Sequence, residues 1–161
     1  LILLDDLPGA LERYRASLAI RSAEVDADPE NIVKRASLIE THAKLAKALA
    51  MSREYASAAT HSTAALALLD ATHLEPTHAS YRANSARYYA DLGEVHSIGA
   101  AESRRGDETA RDGWQRALDM YRRSAAIWLD LRERGILAEG DAGQLDAVNR
   151  EIARCAAAVG P

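Results

Sequence analysis

The sequence has no phenylalanine, one cysteine and four prolines in 161 residues, and aromatic residues make up only 5% of it. The single cysteine, Cys155, excludes a disulfide within the chain. Good helix formers such as alanine, leucine and arginine are frequent, and such a chain packs helices through small side chains more readily than it fills a sheet sandwich. The apolar run near the start, LILL (1–4), is too short for a membrane span or a signal-peptide core. We therefore expect no membrane insertion by this segment.

The sequence also lacks a large excess of charge of one sign, because 20 Lys and Arg residues nearly balance 24 Asp and Glu residues and the net charge is -4. A basic patch that could bind nucleic-acid phosphates is not apparent, so we expect no nucleic-acid partner. The length is enough for one domain with a real core. We expect a cytoplasmic location, or an extracytoplasmic one if a longer parent chain has a membrane span upstream.

The pattern of apolar residues predicts an all-α chain. No segment alternates between apolar and polar residues in the way that indicates a strand. Apolar residues instead recur at helical spacing between recognisable start and stop residues. We predict six helices, at roughly 8–27, 30–51, 54–73, 77–104, 108–134 and 141–158.

Several of these helix ends are predicted from short local signals. Asp28–Pro29 and Glu75–Pro76 each resemble an N-cap followed by a proline in the first turn. Asp141–Gln144 has the spacing of a capping box. Gly135 follows a basic run and suits a left-handed helix end, with Ile136 placed for the apolar contact that often follows.

One stretch of the sequence occurs in two similar copies. Residues 10–20 (ALERYRASLAI) and 117–127 (ALDMYRRSAAI) are identical at seven of eleven positions, and a weaker copy starts at Ala58. In each copy, small and large residues alternate along one stripe of a helix, which lets a neighbouring helix approach closely. The later stripe is the longer one: Trp114, Ala117, Tyr121, Ser124, Trp128 and Leu131. Helical self-similarity at a period of about 47 residues indicates stacked antiparallel helix pairs.

The repeated positions resemble the tetratricopeptide family. The family's first-helix pattern is matched by Tyr89, Leu92 and Gly93 and, more weakly, by Leu45 and Ala46; its second-helix pattern is matched by Ala10, Tyr14 and Ser17 and by Ala117, Tyr121 and Ser124. This resemblance implies a right-handed superhelical stack of antiparallel helix hairpins. It divides a single domain, 1–161, into a truncated repeat (1–27), a second repeat (28–74), a third repeat (75–135) with an insertion at 101–113, and a capping helix (136–161). The period exceeds the family's 34 residues, so armadillo- or HEAT-like helix pairs remain the alternative.

A narrower resemblance concerns the C-terminal third. The stretch YRRSAAIWLDLRERG (121–135) and the following EIARC (151–155) are similar to the C-terminal repeat regions of some bacterial serine/threonine protein kinases. The kinase motifs HRD and DFG and a glycine-rich phosphate loop are absent from the sequence. The resemblance therefore implies a non-catalytic region of a larger bacterial signalling protein. Because 5–14 reads as the second helix of a hairpin, we expect that parent to be longer at its N-terminus.

The histidines and the cysteine are better explained by packing or by a loop position than by metal binding or catalysis. His73 and His78 fall in a predicted helix-to-helix connection without a third ligand nearby in sequence. His42 and His96 occupy repeat positions typical of partly buried packing residues, and Cys155 lies on an apolar stripe. We expect no enzyme activity, no metal and no cofactor.

The expected function is protein–protein interaction. In tetratricopeptide arrays the first helices line a concave groove that accepts peptides, and the resemblance places eight residues on that surface: Glu40, Lys44, Lys47, Met51, Arg87, Asp91, Glu94 and Ile98. Their mixed charge predicts a mixed-charge or weakly acidic partner. Lys47 and Glu94 stand where the family's chaperone-tail clamp has asparagine, which argues against that specificity. The alternatives are a small-molecule or peptide sensing domain and a self-association module, the latter as a homodimer through an exposed N-terminal edge at Leu1–Leu4.

Overall fold

A computed structural model describes residues 6–72, 78–103 and 108–160. Within these ranges the chain forms six α-helices, a 3₁₀ turn at Glu139–Asp141 and no strand, so the all-α prediction is confirmed. The predicted edge at Leu1–Leu4 and the predicted loop residue His73 lie outside the described residues. The helices are α1 (Leu7–Ala27), α2 (Ile32–Met51), α3 (Tyr55–Ala71), α4 (Ala79–Glu102), α5 (Glu108–Glu133) and α6 (Gln144–Val159).

The chain divides into two compact units, 1–73 and 74–161. In the first unit, α2 packs against both α1 and α3, and nine of its 20 residues are buried. A short turn joins α2 to α3, with Arg53 in the left-handed region (φ 63°) and the amide of Glu54 bonded to the carbonyl of Leu49 at 2.9 Å. Because this connection is so short, α2 and α3 form a helix hairpin. The weak middle copy supplies Ala58, Ser62 and Ala65 of the buried face of α3, and Leu69 completes that face.

The first copy of the repeated stretch lies in α1 and is less well covered. Ala10 and Leu11 are buried, whereas Tyr14, Ser17 and Leu18 are only half-buried. The helix begins at an N-cap, Asp6, whose carboxylate accepts the amide hydrogen of Gly9 at 3.1 Å.

Two predicted N-cap residues are wrong. Asp28–Pro29 does not begin α2, because Asp28 ends α1 and Asn31 is the N-cap, its amide oxygen accepting from the amides of Val33 and Lys34. Asp28 instead accepts from the side chains of Asn31 and Lys34, and these contacts lower the pKa of its carboxyl, with the larger effect from Lys34. The Asp141–Gln144 capping box does not form either.

The reason for the second error is a tertiary contact. Asp141 lies in the 3₁₀ turn with its side chain 12% exposed and ion-paired to Arg87, so it is unavailable to cap α6. Gly143 occupies the N-cap position of α6, without a side-chain hydrogen bond. The Glu75–Pro76 signal falls outside the described residues.

The predicted end of α5 is confirmed. Gly135 adopts φ 67°, and the amide of Ile136 bonds to the carbonyl of Leu131 at 3.1 Å, the hydrogen bond of a Schellman-type end. The Ile136 side chain nevertheless remains 39% exposed.

In the second unit, α4 and α5 pair along their whole lengths. The contacts run from Ala100 beside Gly113, through Gly93 beside Tyr121, to a 2.7 Å hydrogen bond from Ser124 Oγ to the carbonyl of Ala86. Residue numbers fall along α4 as they rise along α5, so the two helices are antiparallel. The predicted insertion at 101–113 includes the first turns of α5 (108–113). The helices α4 and α5 have 24 and 26 residues and are therefore longer than α2 and α3.

The final helix, α6, covers the face of α5 that carries its two tryptophans. The apolar stripe on which Cys155 lies is buried at Leu145, Val148 and Cys155 and half-buried at Ile152 and Val159. Leu145, Val148 and Cys155 join one core cluster with residues of α4 and α5 that include Tyr121, Trp128 and Leu131, and Ile152 packs against this cluster. The predicted packing role of Cys155 is therefore confirmed, and burial raises the pKa of its thiol.

Candidate functional site

A cavity of about 460 Å³ opens among the three helices of the second unit. We call it the α4–α6 groove, because α4 and α6 form its two sides and Tyr121 of α5 lies between them. Its lining residues are Ala90, Asp91 and Glu94 on α4, Tyr121 on α5, and Gln144, Ala147, Val148, Arg150, Glu151 and Arg154 on α6. Helical spacing explains the set, because residues three and four apart share one face of a helix.

Tyr121 forms the base of the groove and is 4% exposed. Its ring packs on the backbone of Gly93, where the missing side chain leaves just enough room. Burial raises the pKa of the Tyr121 phenol well above its usual range, and the negative charges of Glu151 and Glu94 raise it further, against the effect of a hydrogen bond with Ser97. The hydroxyl therefore stays neutral at physiological pH and can act as a hydrogen-bonding group beside two carboxylates.

Arg154 is held by three different contacts. Its guanidinium forms an ion pair with Glu151 at 2.7 Å, donates to Ser97 Oγ at 3.2 Å and lies 5.5 Å from the ring centroid of Trp114. Ser97 in turn donates to the carbonyl of Glu94 at 3.0 Å. These contacts link α6 to α4 and hold Arg154 and Glu151 at one side of the groove.

A second, smaller cavity of about 230 Å³ lies nearer the start of α4. Arg87 lines it and contacts three groups: it pairs with Asp141, donates to Asn84 Oδ1 at 2.8 Å and lies 5.4 Å from the ring centroid of Trp128. Because its charge is matched by Asp141, Arg87 serves to hold the 3₁₀ turn before α6 against α4.

The eight residues predicted for the concave surface fall into two groups. On α4, Asp91 and Glu94 line the α4–α6 groove, Arg87 lines the smaller cavity, and Ile98 is half-buried. On α2, in the first unit, Glu40 and Lys44 form an ion pair, and Lys47 and Met51 are half-buried.

The α6 side of the groove is absent from the sequence-based prediction. A signal is present, because Gln144, Ala147, Glu151 and Arg154 recur at helical spacing beside the apolar stripe that docks α6. The apolar stripe of α6 predicts only a capping helix with one face docked on the core and the other in solvent. In the structure, part of that other face borders the groove.

Histidines in the first unit form a second cluster of polar groups. Nδ1 of His42 on α2 lies 3.1 Å from Nδ1 of His61 on α3, with ring centroids 5.3 Å apart. Burial and the nearby His61 ring lower the pKa of His42 to about 4, and burial together with Arg15 lowers the pKa of His61. In the second unit, burial and Arg116 lower the pKa of His96 to about 4. The predicted partial burial of His42 and His96 is thus confirmed.

Among the described residues, no group of three or more histidine, cysteine or carboxylate side chains is arranged to hold a metal ion. The helices in the described ranges are also too short or too polar to cross a membrane. Comparison with protein families, with curated protein sequences and with solved structures gave no match.

Proposed function

We propose that this chain is a non-catalytic protein-interaction module that holds a peptide segment of its partner in the α4–α6 groove. The observation that supports this proposal is the groove itself, which is lined mostly by polar and charged side chains over one buried tyrosine. Pockets for small molecules are mostly apolar and aromatic, whereas surfaces that bind proteins mix apolar and polar groups.

The dimensions of the groove also favour a peptide. Gln144 and Arg154 are ten residues apart on α6, which corresponds to about 15 Å along a helix. An extended peptide of about four or five residues has the same length. The resemblance to the repeat regions of bacterial kinases supports the further proposal that the module belongs to a larger bacterial signalling protein, and the sequence of the full-length gene product tests that part.

Selection of random peptides on phage, followed by a groove-blocking variant, tests the function. Ala147→Arg places a long side chain inside the groove, and Ala153→Arg places the same side chain on an exposed position of the same helix. We expect selected peptides to lose at least tenfold in affinity for the first variant and less than twofold for the second. Failure to select any peptide, or equal binding by both variants, would contradict the proposal.

Self-association is a second candidate, favoured by two exposed apolar side chains in the first unit. Ile20 on α1 is 61% exposed and Val33 on α2 is 58% exposed. Light scattering should then show a dimer that dissociates when both residues are changed to glutamate. A monomer at all concentrations up to about 1 mM, an affinity limit corresponding to about -4 kcal/mol, would remove this candidate.

A further inference from the structure

The charged groups of the α4–α6 groove are unequal in number. Asp91, Glu94 and Glu151 contribute three carboxylates, and Arg150 and Arg154 contribute two guanidinium groups. Arg154 lies against Glu151, Ser97 and Trp114, and Arg150 is exposed. The groove therefore carries a net negative charge.

Two of the three carboxylates lie on either side of the base. Glu94 on α4 and Glu151 on α6 stand on opposite sides of the groove, with Tyr121 between them. In this partly buried setting an incoming anion would meet like charge, whereas an incoming cation would gain attraction that bulk water would otherwise weaken.

We propose that the groove selects its peptide through one lysine or arginine side chain, which enters between Glu94 and Glu151 above Tyr121. This inference rests on the proposed function, because it specifies which partner residue the groove recognises. It differs from the weakly acidic partner that the sequence suggested, because Arg87 lines the smaller cavity and not the α4–α6 groove.

Apolar groups in the groove suit the rest of such a side chain. Ala90 lines the α4 side, and Ala147 and Val148 line the α6 side. Lysine and arginine place their methylene groups along apolar surface while the charged end reaches polar groups. Tyr121 and the two carboxylates then supply acceptors at the position where the cationic end arrives.

A positional-scanning library of nonapeptides tests the proposal, with each pool fixed as Lys, Arg, Leu or Glu at one position. Binding is measured by fluorescence polarisation at low and at moderate salt. We expect the best Lys or Arg pool to bind at least tenfold more tightly than the Leu and Glu pools at the same position. The preference should shrink as salt is raised, because salt screens the attraction.

Variants of Glu94 and Glu151 test whether the preference for lysine or arginine arises in the groove. The double variant Glu94→Gln, Glu151→Gln removes both charges and should bring the Lys pool to the level of the Leu pool. The matched control is Glu133→Gln, Glu139→Gln, which removes the same charge from exposed positions outside the groove and should keep the Lys preference. Circular dichroism and tryptophan fluorescence confirm that both proteins are folded.

The outcomes separate this inference from the proposed function. Leu pools that bind as tightly as Lys pools, and lose binding in Ala147→Arg, would overturn the inference and leave the proposed function standing. A Lys preference that survives in Glu94→Gln, Glu151→Gln would overturn the inference as well, since it would come from the overall charge. If no pool binds, both the inference and the proposed function fail.

Discussion

The ring of Tyr121 lies directly on the backbone of Gly93: a Cβ atom at Gly93 would be 2.9 Å from Cε1 and Cζ of that ring. Carbon atoms without a bond between them do not approach so closely, so only glycine fits at this position. Glycine inside a helix costs about 1 kcal/mol relative to alanine. The chain accepts that cost in the middle of α4, and α5 gains a close approach that places Tyr121 at the base of the groove.

Gly93→Ala should therefore destabilise the second unit although it improves helix propensity. Overpacking of a filled core costs roughly 1–3 kcal/mol, and the ring is too buried to move aside easily. Urea denaturation followed by tryptophan fluorescence measures the loss, because both tryptophans lie in α5. Gly140→Ala serves as the control and should change little, because a Cβ atom added at Gly140 would meet no other heavy atom within 4 Å. A stabilised Gly93→Ala protein would show that the ring is free to shift.

Leu92→Ala should lower the free energy of unfolding more than Gly93→Ala does. Leu92 is 0% exposed on the same helix, and truncation of a buried leucine costs about 2–5 kcal/mol through lost burial and the cavity left behind. Leu129→Ala, on α5 at 38% exposure, should cost less than about 1 kcal/mol. Equal effects of the two substitutions in urea denaturation would contradict the assignment of the buried face of α4.

The contact between Gly93 and Tyr121 shows which features a single sequence can predict. The repeated stretch placed Tyr121 and Ser124 on a packing face correctly, because small and large residues at helical spacing indicate a close helix pair. The predicted N-caps of α2 and α6 are wrong, because Asp28 and Asp141 have side chains that suit a cap but contact Lys34 and Arg87 instead. Local signals do not reveal which of several partners a short acidic side chain will take.

A small part of the groove lining was anticipated from the sequence. Asp91 and Glu94, which line the groove, followed from the resemblance, which placed them on a concave surface. Glu151 and Arg154 did not, because their role depends on the angle at which α6 crosses α5. That angle is set by the packing of Leu145, Val148 and Cys155 against the core rather than by spacing along the chain.

The ion pair between Arg87 and Asp141 makes a third prediction. The Asp141 side chain is 12% exposed, so Arg87→Ala would leave a nearly buried carboxylate without its cation. Loss of one partner of such a pair costs about 1–3 kcal/mol for a partly buried site. Arg111→Ala, at an exposed position of α5, is the matched control. If both variants unfold at the same urea concentration, the pair does not hold the 3₁₀ turn in place.

The pair of histidines between α2 and α3 predicts a dependence of stability on pH. The pKa of His42 is lowered from 6.5 to about 4 in the folded chain, so the unfolded chain binds more protons between these values. The free energy of unfolding should therefore be highest above pH 6.5 and fall as the pH is lowered through this window. We expect a loss of about 1–2 kcal/mol from His42, whose ring is partly exposed, which is less than the full shift would give.

A matched pair of variants assigns that pH dependence to His42. Gln at position 42 cannot titrate but can still hydrogen-bond to His61, so His42→Gln should flatten the fall in unfolding free energy between about pH 6.5 and about pH 4.5. His78→Gln, at the exposed start of α4, should leave it unchanged. His96, whose pKa is also about 4, contributes to the same pH dependence of the unfolding free energy, and its contribution should persist in both variants. Urea titrations followed by circular dichroism report on all helices; an identical pH profile for His42→Gln and the unaltered chain would show that the contact between His42 and His61 does not resist protonation.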